Sequence, residues 1–130
     1  MRLVIDASAA VQVCLAGSGF DLLDGHDLSA PVLLRFEVLS VLHEAVWRKQ
    51  ISVELAAVAR QRLSSAPVTF EAGADAEEAW DVSERLGWAK TYDAEYVALA
   101  RREQAPLLTL DRRLARGAAR LVQVLTPEQL

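Results

Sequence analysis

The segment "LVID" (3–6) narrows the choice of fold more than any other in this chain: three large apolar residues in succession, then a carboxylate. A strand with one wet face alternates apolar and polar residues, whereas a run apolar at every position belongs in a sheet covered on both faces. The same arrangement returns at "PLLTLD" (106–111), where a second apolar run ends in Asp111. Helical patterns separate the strand-like runs. Short strands alternating with helices predict an α/β fold with a mostly parallel central sheet flanked by helices.

Residues 2–5 are the first predicted strand, and 7–15 a helix beginning directly after it, broken by Gly17-Ser18-Gly19. A polar segment follows to Pro31, which is placed to open a helix because its missing N–H falls among the unpaired donors of a first turn. From Pro31 to Trp47 the apolar residues Leu34, Val38, Val41, Leu42, Ala45 and Val46 recur at helical spacing. Ser52 caps another helix running towards Pro67, and "PVTFEAG" (67–73) is a strand or a linker. Residues 74–86 are predicted as an acidic helix with Ala76, Ala79, Trp80 and Leu86 inward, ended by Gly87. A helix from Thr91 to about Gln104, the strand 106–110, a short helix over 112–120 and a strand at 121–125 complete the chain. With 130 residues and no long linker or repeat, the whole of 1–130 is read as a single domain.

Cys14 is the only cysteine, so there is no internal disulfide and no Cys-based metal motif, and a reduced core fits the cytoplasm. No run is long and apolar enough to cross a bilayer, and the amino terminus lacks a signal-type pattern, so no membrane association is expected. The net charge of −4 argues against a broad basic footprint for nucleic acid. That objection weakens if bound metal neutralises carboxylates; without four of them the sum would be zero.

Four carboxylates stand in places that need explaining. Asp6 and Asp111 each follow an apolar strand, where open α/β sheets place their functional crevice. Each is also well suited to capping the next helix. Glu37 projects from a helix beside Leu33, Leu34, Ser40 and Val41, a largely apolar surrounding; the ordinary alternatives are an ion pair with Arg35 or Arg48, or simple partial exposure. Asp93 lies in a helical first turn, where a carboxylate suits the dipole, beside Tyr96 and Val97. Glu95 is expected to point elsewhere, and Glu44 to lie on a solvated face. At about 5 Å and an effective dielectric of about 20, each pair of such charges repels by roughly 3 kcal/mol. Two or more pairs would strain a domain stable by about 5–15 kcal/mol. Oxygen ligands without a His or Cys cluster suit a hard divalent ion, Mg²⁺ or Mn²⁺, and such ions activate water for phosphoryl displacement.

"LVIDASAAV" (3–11), "PVLLRFEVLSVL" (31–42), "TYDAEYVALA" (91–100) and "PLLTLDRRLARGA" (106–118) together resemble PIN-domain ribonucleases, and more closely the VapC toxins of type II toxin–antitoxin pairs. The resemblance covers nearly the whole chain, in the family's order. It implies a three-layer PIN-like fold and a Mg²⁺-dependent endoribonuclease, with Mn²⁺ as substitute. Asp6, Glu37, Asp93 and Asp111 fall on the family's acidic metal-site positions, and Ser8 and Thr109 on its supporting hydroxyl positions. An RNA substrate, a homodimer and silencing by a cognate VapB-type antitoxin are implied with them. "LGWAK" (86–90) lies where the family varies.

Arg112, Arg113 and Arg116, with Arg120, follow Asp111 and are candidates for phosphate contacts, and Trp88 for stacking on a base. Trp80 is read as core or a dimer seam, and the helices at 31–47 and 52–63 as either an antitoxin groove or ordinary core. His26 and His43 are read as surface or filler rather than an acid–base pair. Two other functions compete. A haloacid-dehalogenase-type phosphatase would use Asp6 as nucleophile, but its second aspartate is replaced by Ser8. A PIN-like module that binds RNA or protein without catalysis is the other.

Overall fold

Residues 1–71 and 76–130 are described by the computed structural model. Leu3, Val4 and Ile5 of the first strand, β1 (Arg2–Ile5), are wholly buried, as an apolar run covered on both faces should be. Burial of each such side chain contributes about 1.5–3 kcal/mol. In chain order there follow α1 (Ala7–Leu15), β2 (Asp27–Pro31), α2 (Leu33–Trp47), α3 (Val53–Ser64), β3 (Val68–Glu71), α4 (Ala76–Leu86), α5 (Tyr92–Glu103), β4 (Leu107–Leu108), α6 (Arg112–Ala118) and β5 (Val124–Leu125). Among the described residues the strands form one sheet in the order β3-β2-β1-β4-β5, every pair parallel.

This order fixes where a site can form. The chain steps outward from β1 to β2 and β3, returns past β1 to β4, then steps outward again to β5. Right-handed crossovers therefore set α1, α2 and α3 over one face and α4, α5 and α6 over the other. Packing agrees: α1 lies against α2 and α3, and α4 against α5, which also covers β1, β2 and β4. The direction of stepping reverses between β1 and β4, and their carboxyl ends open the crevice expected at such a switch point.

Several expectations are corrected. The polar segment before Pro31 contains β2, a strand buried from Leu28 to Pro31. Its buried Ser29 is satisfied there, the hydroxyl donating to Glu103 at 2.6 Å. Pro31 does not open a helix. It ends β2 opposite Glu71, and α2 begins at Leu33 without a side-chain cap. On α2 only Leu34, Val38 and Leu42 are buried, while Val41 faces outward with Phe36, Leu39 and Trp47. On α4 Ala79, Val82 and Ser83 are buried and Leu86 packs against the core, whereas both Trp80 and Ala76 are exposed. The expected starts and ends at 72–75 lie outside the described residues. Ser52 caps α3 as expected, its hydroxyl accepting from the Leu55 N–H at 3.0 Å.

Candidate functional site

Asp6 stands at the carboxyl end of β1 and is 3% exposed, yet every hydrogen bond it receives is local to the switch point. One oxygen accepts from the Ala9 N–H at 2.9 Å, capping α1, and from the Ser8 hydroxyl at 2.7 Å. The other accepts from the Thr109 hydroxyl at 2.5 Å. Thr109 is fully buried, just beyond β4, and its hydroxyl oxygen accepts in turn from the Asp111 N–H at 3.0 Å. Ser8 accepts from the Leu110 N–H at 2.9 Å. Two hydroxyls thus tie the end of β1 to the end of β4. Asp111 caps α6, one oxygen accepting from the N–H groups of Arg113 and Leu114 at 2.9 and 3.1 Å. Both aspartates are helix caps, and they are also electrostatically coupled.

Neither candidate ion-pair partner belongs to Glu37. Arg35 lies over the Phe70 ring, 4.1 Å from its centroid, and Arg48 pairs with Glu44 at 2.7 Å. Glu37 accepts instead from the hydroxyl of Tyr96, at 2.6 Å, across the top of the sheet from α5. Tyr96 is 1% exposed. Burial, then its hydrogen bond and charge interaction with Glu37, push the Tyr96 hydroxyl far above its ordinary range, so it is a fixed donor.

The electrostatics link the carboxylates. Burial raises Asp6, opposed by hydrogen bonds from Thr109, Ala9 and Ser8, and the charge of Asp111 raises it further. Burial raises Glu37, opposed by Tyr96 and reinforced by Asp93, Asp6 and Glu95. Burial raises Asp93, reinforced by Asp111 and opposed by Arg113, whose guanidinium is 3.8 Å away. Asp6, Glu37 and Asp93 each therefore feel at least one other of the four expected residues. Glu95 is half-buried, and its charge acts on Glu37.

An oxygen-only set of mutually repelling carboxylates is the donor chemistry that suits a hard divalent cation. Among the described residues, no three His, Cys, Asp or Glu side chains stand at ligating spacing as they are. Among the described residues the cation paired with this set is Arg113, 3.8 Å from Asp93.

A groove of about 610 Å³ leads from Glu37 and Asp93 along Trp88, Lys90, Tyr92 and Arg113. Arg112 and Arg116 are exposed on α6, and Arg120 just beyond it. Trp88 is half-buried, with its six-membered ring against Gly117. Two features of the site escaped the sequence reading, Tyr96 and Glu95. Tyr96 looked like one more apolar position on its helix; the signal for it was its place three residues after Asp93.

A family model described as the PIN domain matches residues 3–120. No curated protein matches the sequence significantly. Among solved structures, PAE2754 from Pyrobaculum aerophilum superposes with a TM-score of 0.79 at 21% identity, covering 99% of this chain and 91% of that one. VapBC2 from Rickettsia felis, bound to a DNA fragment from its promoter, gives 0.66 at 12% identity, covering 97% and 98%. FitAcB from Neisseria gonorrhoeae gives 0.55 at 15%, covering 98% and 99%. At these identities the structural likeness speaks for the fold.

Proposed function

The chain belongs to the PIN domain family, and on that premise we propose that it is the toxin of a type II toxin–antitoxin pair, a Mg²⁺- or Mn²⁺-dependent endoribonuclease. The observation that carries this reading is the coupled set of carboxylates at the switch point: Asp6, Glu37, Asp93 and Asp111, drawn from four separate parts of the chain. These four would hold the cation. When bound, it supplies charge neutralisation at a phosphate and activation of a water.

The chain's own residues do the rest. Thr109 and Ser8 orient Asp6, and Tyr96 holds one oxygen of Glu37, which leaves the other free to act. Arg113 lines the groove and reaches RNA phosphate, with Arg112 and Arg116 adding positive charge along α6. Trp88 walls the groove against the RNA strand.

A protein partner is supported by a second, apolar groove of about 520 Å³ between α2 and α3. Leu39, Val46 and Val53 line it, and Phe36 and Trp47 are exposed on the same helix. The VapBC2 and FitAcB neighbours make a cognate antitoxin the natural occupant, and a homodimer belongs to the same reading. Among the described residues no helix is long and apolar enough to cross a membrane, and we place the protein in the cytoplasm.

The test is direct. Purified protein should cut single-stranded RNA in Mg²⁺ or Mn²⁺, and EDTA or Asp6→Asn should each lower the rate by on the order of 100-fold or more. Cleavage by Asp6→Asn at the wild-type rate would defeat the assignment.

A further inference from the structure

The aromatic residue best placed to read the substrate is not the one the sequence singles out. Trp88 is committed to the fold. Its ring lies so close to Gly117 that a Cβ there would stand 2.7 Å from Cζ2, and the Trp88 backbone N–H donates to the Ser83 carbonyl at 2.9 Å. The buried Ser83 hydroxyl donates to the Lys90 carbonyl at 3.3 Å. These contacts hold the 87–91 connection from both ends, so Trp88 forms a fixed wall of the groove.

Tyr92 differs. It is the first residue of α5, 58% exposed, lines the same groove and directly precedes Asp93. A ring exposed on a groove, beside cations and next to a carboxylate of the reaction centre, matches what unpaired nucleic acid needs: a stacking face together with charge for the backbone. Lys90 is exposed two residues before it. Arg113 is 82% exposed, and at 3.8 Å its pairing with Asp93 is too loose to withhold it from phosphate.

We propose that an unpaired nucleobase of the RNA stacks on Tyr92 against the wall formed by Trp88, while Lys90 and Arg113 take the flanking phosphates. This rests on the ribonuclease reading above. Because Tyr92 adjoins Asp93, the stacked base belongs to a nucleotide beside the scissile bond, and Tyr92 is a residue that sets register and base preference.

The experiment is a double-mutant cycle between protein and RNA. An oligonucleotide that the wild-type chain cuts is remade with one abasic residue at each position around the scissile bond. Tyr92→Ala should lower kcat/KM on the intact RNA about tenfold, and Tyr92→Phe should stay within about twofold of wild type. At one abasic position, wild type and Tyr92→Ala should become equivalent. Equal losses from Tyr92→Ala at every position, or no loss on intact RNA, would overturn the stacking site while leaving the nuclease in place. A wild-type chain that cuts no RNA would overturn both. Tyr92 is exposed, so the substitution leaves the core intact.

Discussion

Asp6 carries two duties that pull its ionisation in opposite directions. Burial and Asp111 disfavour its charge, and the hydroxyls of Thr109 and Ser8 with the Ala9 N–H restore it. The Thr109 bond is the largest restoring contribution, so Thr109→Val should reveal it. A hydrogen bond to a charged group contributes about 1.5–3 kcal/mol, and urea denaturation at pH 7 should show a loss of that size for Thr109→Val, with most of it recovered by Thr109→Ser. Wild-type stability in Thr109→Val would mean that the bond is idle. Much at this scale was readable beforehand: Asp6 and Asp111 announce themselves by following apolar runs, and the resemblance to PIN-domain ribonucleases pointed to Ser8 and Thr109. Tyr96 did not. Its donation to Glu37 spans 59 positions of sequence, and no local pattern distinguishes a buried tyrosine that packs from one that also donates.

Helices reach this site by their first turns. α1 and α6 begin at the capping carboxylates, and α5 begins at Tyr92 and Asp93. The position of α6 relative to the 87–91 connection depends on Gly117, whose missing side chain admits the Trp88 ring. Gly117→Ala would force the ring or the helix to move, with an expected cost of about 1–3 kcal/mol and a red-shifted Trp88 emission. An unchanged spectrum and stability would show that the contact carries no constraint. Caps at Asp6, Ser52 and Asp111 were legible because capping is local chemistry. The inward faces of α2 and α4 were not. Their exposed Phe36, Val41, Trp47 and Trp80 make helical apolar spacing a poor guide to which side meets the sheet. β2 was hidden for the opposite reason, since the partner that makes Ser29 acceptable inside comes from distant Glu103.

For the whole molecule, strand order does what no single segment can: it brings the carboxyl ends of β1 and β4 together, with Asp6 and Asp111 just beyond them and coupled by charge. The alternation of short strands and helices foretold this α/β class, because parallel sheets need such crossovers. The order itself came only with the fold. Burial and mutual repulsion raise Asp6, Glu37 and Asp93 above their ordinary values of 3.8, 4.5 and 3.8. Protonation of these groups therefore stabilises the folded state fully below about pH 4, and that contribution is lost as pH rises through their raised values. A divalent cation should compensate where protons no longer do. At 100 times its pH 7 dissociation constant, Mn²⁺ should raise Tm by about 10 °C at pH 7 and by less at pH 4. An equal rise at both values would place the ion elsewhere. The most direct measurement is anomalous diffraction from crystals grown with Mn²⁺. A peak bounded by oxygens of Asp6, Glu37, Asp93 and Asp111 is expected at the carboxyl ends of β1 and β4. Manganese bound to other residues, with these four carboxylates still apart, would contradict the assignment.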